Sequence, residues 1–153
     1  MTEKETLDYV EKCLERYPSN LTRIEVLRKD LYVLRASSDV HAQNYLTIRS
    51  NDSVQRGDHS DPVVAYVLKI EKLEEEIERL KRITEPISKM IQDLKTPYAT
   101  EDSLNNDFIK ILGLYYFGRN PVQIVVELTQ WSRAGFFRKK KQLTLLARNY
   151  LGL

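Results

Sequence analysis

Positively charged side chains are concentrated at the end of the sequence. From Gly118 onward the chain has seven Lys or Arg residues and one acid, Glu127, which leaves this segment at +6 and residues 1–117 at −4 within a net charge of +2. Charge separated in this way between two segments points to a polyanionic partner for the basic one.

Arginine and lysine bind nucleic acids in different ways. An arginine can donate two hydrogen bonds to one guanine, whereas contacts to phosphate supply affinity without reading sequence. We therefore expect Arg133 and Arg138 to contact base edges. The residues expected to neutralise phosphates are Lys139, Lys140, Lys141 and Arg148. Gln123 is expected to anchor a phosphate where a helix begins, and Ser132 and Gln142 belong to the same predicted surface.

Three helices are predicted to carry these residues, over 104–117, 121–129 and 132–151. Pro121 suits the first turn of the second helix, and Ser132 is a good N-cap for the third. Two short helices followed by a tight turn and a longer third helix are typical of DNA-binding helix-turn-helix domains.

The apolar residues of these helices are predicted to meet in one small core. They are Ile109, Leu112, Tyr116, Ile124, Val125, Leu128, Phe136, Leu143, Leu146, Ala147 and Tyr150. Because the basic residues of the third helix lie largely off this apolar stripe, they leave a basic face of about three turns. A major groove about 12 Å wide accepts such a helix.

The basic run also has less specific interpretations. A stretch such as residues 138–141 is common on solvated helix faces, and it can bind RNA, acidic proteins or membranes. Trp131 has two interpretations as well, an anchor of the turn or a platform on which a nucleotide stacks. The helix boundaries, more than the charge, favour duplex DNA.

The same residues resemble the RinA/ArpU-type phage and prophage transcriptional regulators. The resemblance is carried by residues 114–117, 124–128, Ser132, 136–141, 145–147 and 150–153, and it extends to the helical segment 60–77 with Pro86 and Ile87. It implies a C-terminal helix-turn-helix similar to region 4 of sigma factors and the activation of phage late genes at a promoter. Gly135 departs from the Thr often found at that position in sigma-like helices.

The N-terminal part is predicted to be a helical, coiled-coil-like module. Apolar spacing predicts helices over 3–16 and 20–36, interrupted at residues 17–20 by Pro18, and a longer helix over 62–94. Pro86 predicts a kink or a break near Thr84 in the long helix. Residues 37–61 lack periodicity and predict a polar loop.

Two arrangements can bury the apolar stripe of the helix at 62–94. It can fold back on the helix at 20–36 as a hairpin, or it can pair with a second copy as a homodimer, and both can hold together. The composition changes at residues 96–100. We therefore expect an all-α protein with an N-terminal module at 1–96 and a helix-turn-helix domain at 97–153.

The sequence offers little for catalysis. Cys13 is the only cysteine and is expected to face the core, and His41 and His59 match no metal-ligand spacing. No phosphate-binding glycine loop or nucleophile motif is present, so we expect neither an enzyme nor a cofactor. No apolar run approaches the roughly 20 residues that span a membrane, which favours a cytoplasmic protein.

The predicted function is sequence-specific binding of double-stranded DNA by a transcriptional regulator, with RNA polymerase as a further expected contact partner. The alternative is a protein-interaction module that docks on RNA polymerase or a phage packaging protein without reading DNA. A small packaging subunit that recognises phage DNA is a third interpretation, although such proteins more often place the helix-turn-helix before the oligomerisation segment.

Overall fold

The computed structural model describes residues 1–37, 62–95 and 103–153, and the regular structure in these ranges is helical throughout. The helices are α1 (Glu3–Ala36), α2 (Pro62–Leu94), α3 (Ser103–Ile111), α4 (Val122–Thr129) and α5 (Arg133–Leu151), and a π-helix (Leu112–Phe117) follows α3 directly. The predicted all-α class is confirmed. Most of the predicted polar loop and the composition change at 96–100 lie outside the described residues.

The helix α1 passes through Pro18 without a break, so the predicted interruption at residues 17–20 is wrong. A proline inside a helix costs about 3 kcal/mol. Val10 and Leu14 are buried before it and Ile24 and Leu27 after it, and each such side chain contributes about 1.5–3 kcal/mol. Burial along both halves of the helix therefore outweighs the local cost of the proline.

The start of α1 is a capping box. The Thr2 Oγ1 accepts a hydrogen bond from the Glu5 N–H at 3.2 Å, and the Glu5 Oε2 accepts one from the Thr2 N–H at 2.8 Å. This reciprocal pair satisfies two donors that a helix otherwise leaves unpaired at its first turn.

The helix α2 has the bounds that its periodicity predicts, and Pro62 occupies its first position. Pro86 lies inside it without breaking it, so of the kink or break predicted near Thr84 the break is wrong. Thr84 is buried at the position where the apolar stripe requires a core residue.

The described residues divide into two compact units, Met1–Leu21 with Arg82–Leu153, and Thr22–Lys81. This division does not coincide with the boundary predicted at 96/97. Within the unit Thr22–Lys81, a small core joins one face of α1 to one face of α2. Its buried members are Ile24, Leu27, Leu31, Ile77 and Leu80. These side chains pack α1 against α2 within this unit.

Two polar contacts between α1 and α2 accompany this packing. The Arg35 guanidinium forms an ion pair with the Glu74 carboxylate, and the Tyr66 hydroxyl donates to the Leu34 carbonyl oxygen. The Arg35–Glu74 pair is largely exposed to solvent. Exposed ion pairs contribute little to stability, so the apolar contacts hold these helices together.

The other unit has a larger core, to which α1 and α2 contribute as well as the C-terminal helices. Its buried members are Val10, Cys13, Leu14, Ile87, Met90, Leu94, Phe108, Ile111, Leu112, Tyr116, Val125, Phe136, Leu143 and Ala147. The prediction that the C-terminal residues form a small core of their own is therefore too narrow. Ile124 and Leu128 were expected in that core and are exposed, because α4 buries the neighbouring face that contains Val125.

The π-helix sets the course of the chain between α3 and α4. It ends where the Gly118 N–H donates to the Gly113 carbonyl oxygen at 2.9 Å. A β-carbon at Gly118 would lie 2.7 Å from that oxygen and 2.9 Å from the Leu114 carbonyl oxygen, so only glycine fits. The Asn120 side chain closes the turn by donating to the Leu114 carbonyl oxygen at 2.9 Å.

Candidate nucleic-acid interface

A three-residue turn joins α4 to α5. Gln130 adopts a left-handed conformation with φ 62°, and its N–H donates to the Val126 carbonyl oxygen. Ser132 then caps α5, because its Oγ accepts a hydrogen bond from the Gly135 N–H at 3.0 Å. The predicted N-cap is confirmed, and the turn fixes the direction in which α5 leaves α4.

Gly135 belongs to the same capping arrangement. A β-carbon added at this position would lie 2.9 Å from the Ser132 Oγ, closer than such atoms normally approach. Glycine therefore allows the Ser132 Oγ to approach the Gly135 N–H closely enough to cap the helix. The close approach to the Ser132 Oγ is therefore a local reason for glycine at this position.

The rotation of α5 about its axis is set by its buried side. Phe136, Leu143 and Ala147 are fully buried, and the rings of Tyr115 and Phe136 meet edge to face with centroids 5.3 Å apart. The opposite side of the helix is exposed. We call this side the α5 outer face and define it by the exposed residues Ser132, Arg133, Ala134, Phe137, Arg138, Lys141 and Gln142.

Lys139 does not belong to the α5 outer face. Its Nζ lies 3.0 Å from the Asp107 Oδ2, and its side chain is 19% exposed. The same ammonium group lies 4.1 Å from the centroid of the Trp131 ring, which packs at the edge of the core. Trp131 therefore has the surroundings expected of an anchor of the turn, and the Lys139 charge is already paired within the protein.

Lys140 is paired in a similar way. Its Nζ lies 2.6 Å from the Glu11 Oε1 on α1, and its side chain is 18% exposed. The Tyr116 hydroxyl donates to the same carboxylate oxygen at 3.1 Å. Burial opposes the charged form of Lys140, but the hydrogen bond and charge of Glu11 outweigh it, and the pKa of Lys140 is raised. Burial raises the pKa of Tyr116 as well.

The remaining predicted residues differ in accessibility. Gln123 is exposed in the first turn of α4, whose N-cap, Pro121, provides no side-chain cap. Arg148 is half-buried, and its Nε is buried without a hydrogen-bond partner. The nine predicted residues thus separate into an accessible group, the half-buried Arg148, and Lys139 and Lys140, which have internal ion pairs.

Sequence reasoning missed several residues around this surface. Phe137 lies exposed between cations of the α5 outer face, a position that helical spacing could have predicted once Phe136 was assigned to the core. Nothing near Glu11 and Asp107 in the sequence predicts their ion pairs with lysines of α5, because these residues meet only in the folded chain. Arg16 and Arg119 are two further exposed cations, and both line a cleft of about 550 Å³ beside Pro121.

Comparisons of the chain with protein-family models, with curated proteins and with solved structures find no match. Over the described ranges, no helix combines the length and the apolar character needed to cross a membrane. Nor do those ranges contain a group of three or more His, Cys, Asp or Glu side chains placed to hold a metal ion. His41 and His59 lie outside them.

Proposed function

We propose that this chain binds double-stranded DNA through the α5 outer face and acts as a transcriptional regulator. The observation that carries the proposal is the display of Arg133, Arg138 and Lys141 on one exposed side of a capped helix that follows a three-residue turn. The sequence of α5 contains no acid. At 19 residues the helix is about 28 Å long, which is sufficient to lie along a major groove.

The basic residues of α5 then have two different tasks. Arg133, in the first turn, and Arg138 contact base edges, because recognition helices read bases with their N-terminal residues. Lys141 neutralises a phosphate, and Gln142 lies beside it on the same face. Lys139 and Lys140 hold α5 in place through Asp107 and Glu11.

More specifically, we propose that the protein is a phage or prophage late-gene activator that acts at a promoter and contacts RNA polymerase. It rests on the resemblance to the RinA/ArpU-type regulators. The turn between α4 and α5 and the cap on α5 support the helix-turn-helix part of that resemblance. We further propose that α2 mediates homodimerisation, so that two α5 helices are delivered to one DNA site.

The test is a charge reversal on the outer face. We expect Arg138→Glu with Lys141→Glu to abolish duplex binding at 100 mM salt, measured by fluorescence anisotropy. The matched control is Arg28→Glu with Lys29→Glu, which reverses two exposed charges on α1 and should leave binding unchanged. Unchanged affinity in the α5 variant would refute the proposal.

A second candidate function is supported by exposed apolar side chains on α2. Val63, Val64, Val67 and Leu68 lie in its first two turns and are all substantially exposed. Apolar residues grouped in this way on a surface mark sites of protein association. A protein-interaction module would bind purified RNA polymerase or a packaging protein through these residues, and it would show no affinity for duplex DNA.

A further inference from the structure

The most unusual member of the α5 outer face is Phe137, whose side chain is 41% exposed among cations. It lies one helical turn after Arg133 and one before Lys141. The Arg133 guanidinium carbon lies 5.6 Å from the centroid of its ring. A phenyl group in this position leaves apolar surface in water, which is unfavourable for the free protein.

Packing does not account for this exposure. The adjacent Phe136 is fully buried and belongs to the core, whereas Phe137 is absent from the residues that form or cover that core. The two rings meet edge to face, with centroids 5.3 Å apart and an interplanar angle of 74°. This contact restrains the Phe137 ring, so that its exposed part is presented in a defined place on the outer face.

The duplex offers one apolar group that suits such a ring. Thymine carries a C5-methyl group in the major groove, and apolar side chains such as Phe and Ala contact it there. Stacking of an unpaired base on Phe137 is less favourable, because the Arg133 guanidinium already lies over the ring. Ala134, a neighbouring exposed residue on this face, is a second apolar side chain available for such a contact.

We propose that Phe137 is a specificity-determining residue that selects thymine through its C5-methyl group. The inference rests on the proposed function, since it requires α5 to lie in the major groove. It adds an apolar component to the hydrogen-bonded recognition expected of Arg133 and Arg138, and it predicts a binding site that contains at least one thymine whose methyl group is required.

The experiment starts from a pool of random-sequence duplexes, from which the wild-type chain selects its binding sequence. Each thymine of the selected duplex is then replaced in turn by uracil, which lacks only the methyl group. We expect one or two positions at which this change weakens binding about fourfold, the effect of losing one buried methyl group. Uracil at other positions should have no effect.

Variants of Phe137 connect this effect to the residue. Phe137→Ala should weaken binding to the thymine duplex and should bind the thymine and uracil duplexes equally. Phe137→Leu keeps an apolar side chain and should retain part of the preference, and it serves as the folded comparison if the alanine variant unfolds. The control Tyr32→Ala removes an exposed aromatic ring from α1 and should retain the full preference.

The outcomes separate the two proposals. If the wild-type chain selects no duplex sequence, the proposed DNA-binding function fails and this inference fails with it. If it selects a sequence but binds the uracil duplexes as tightly as the thymine duplex, only the role of Phe137 is overturned. The role is likewise overturned if Phe137→Ala keeps the preference for thymine.

Discussion

At the scale of single residues, neighbours in the folded chain decide which lysines are accessible. Lys140 and Lys141 are adjacent in sequence and identical in type. Lys140 is held by Glu11, whereas Lys141 is exposed on the α5 outer face. Residue type and spacing could predict a basic face, but they could not identify its paired members, because Glu11 and Asp107 belong to helices distant along the chain.

This difference predicts that two similar substitutions change the free energy of unfolding by different amounts. Lys140→Gln should lower the free energy of unfolding by about 1.5–3 kcal/mol, the usual contribution of a hydrogen bond to a charged group. Lys141→Gln should change it by less than about 0.5 kcal/mol, as is usual for surface residues. Urea denaturation measures both, and equal effects would contradict the assignment of Lys140 to the interior.

The same residues predict instability at high pH. The pKa values of Tyr116, Tyr150 and Lys140 are all raised from ordinary values of 10.0, 10.0 and 10.5. A group whose folded pKa is raised stabilises the protein below its unfolded pKa, and this stabilisation is lost as the pH rises towards the folded pKa. The free energy of unfolding should therefore fall above about pH 10.

Tyr150 provides the control for this pH dependence. Its hydroxyl donates to the Asp93 Oδ2 at 2.6 Å, and this hydrogen bond is the main cause of its raised pKa. Tyr150→Phe should therefore reduce the decline between pH 9 and pH 11 without removing it, since Tyr116 and Lys140 remain. Stability that is constant over this range would show that these pKa values are not raised in solution.

At the scale of elements, regular periodicity predicted most helices well. The bounds of α2 and the boundaries around α4 and α5 follow from apolar spacing, Pro62, Pro121 and Ser132. The prediction was wrong at Pro18. The local rule that proline breaks a helix did not take account of the burial of side chains along the rest of α1. The π-helix could not be predicted from the spacing of apolar residues, since it depends on a close backbone approach at Gly118.

The cap on α5 gives a prediction at this scale. Ser132→Ala removes the acceptor for the Gly135 N–H and should destabilise the protein by about 1 kcal/mol. Ser132→Asp supplies an equally good cap and should preserve stability. Because the aspartate places a negative charge beside Arg133, it should nevertheless weaken duplex binding, which anisotropy measures. A variant that retained both stability and affinity would place Ser132 away from the DNA.

At the scale of the whole molecule, the two compact units differ in their exposed surfaces. One displays the basic α5 outer face, and the other leaves Val63, Val64, Val67 and Leu68 exposed on α2. These four side chains form a group of exposed apolar residues at the start of α2. This is the feature on which the proposed homodimer depends, and a dimer would double the number of α5 helices available to one DNA site.

Sedimentation equilibrium tests this assembly. We expect the wild-type chain to sediment at about twice its 18.0 kDa mass. Val64→Gln with Leu68→Gln should give a monomer that binds duplex DNA more weakly, whereas Tyr32→Gln on α1 should leave the mass unchanged. A wild-type chain that sediments at the monomer mass would remove the dimer from the proposal without affecting the contacts of α5.

The salt dependence of duplex binding tests the central claim most directly, because each cation that neutralises a phosphate adds to its slope. Lys141→Gln should reduce the slope of the logarithm of affinity against the logarithm of salt concentration by about one unit. Lys139→Gln and Lys140→Gln should leave the slope unchanged among molecules that remain folded. Equal reductions for all three lysines, or affinity that does not change with salt, would contradict the assignment of the α5 outer face to DNA.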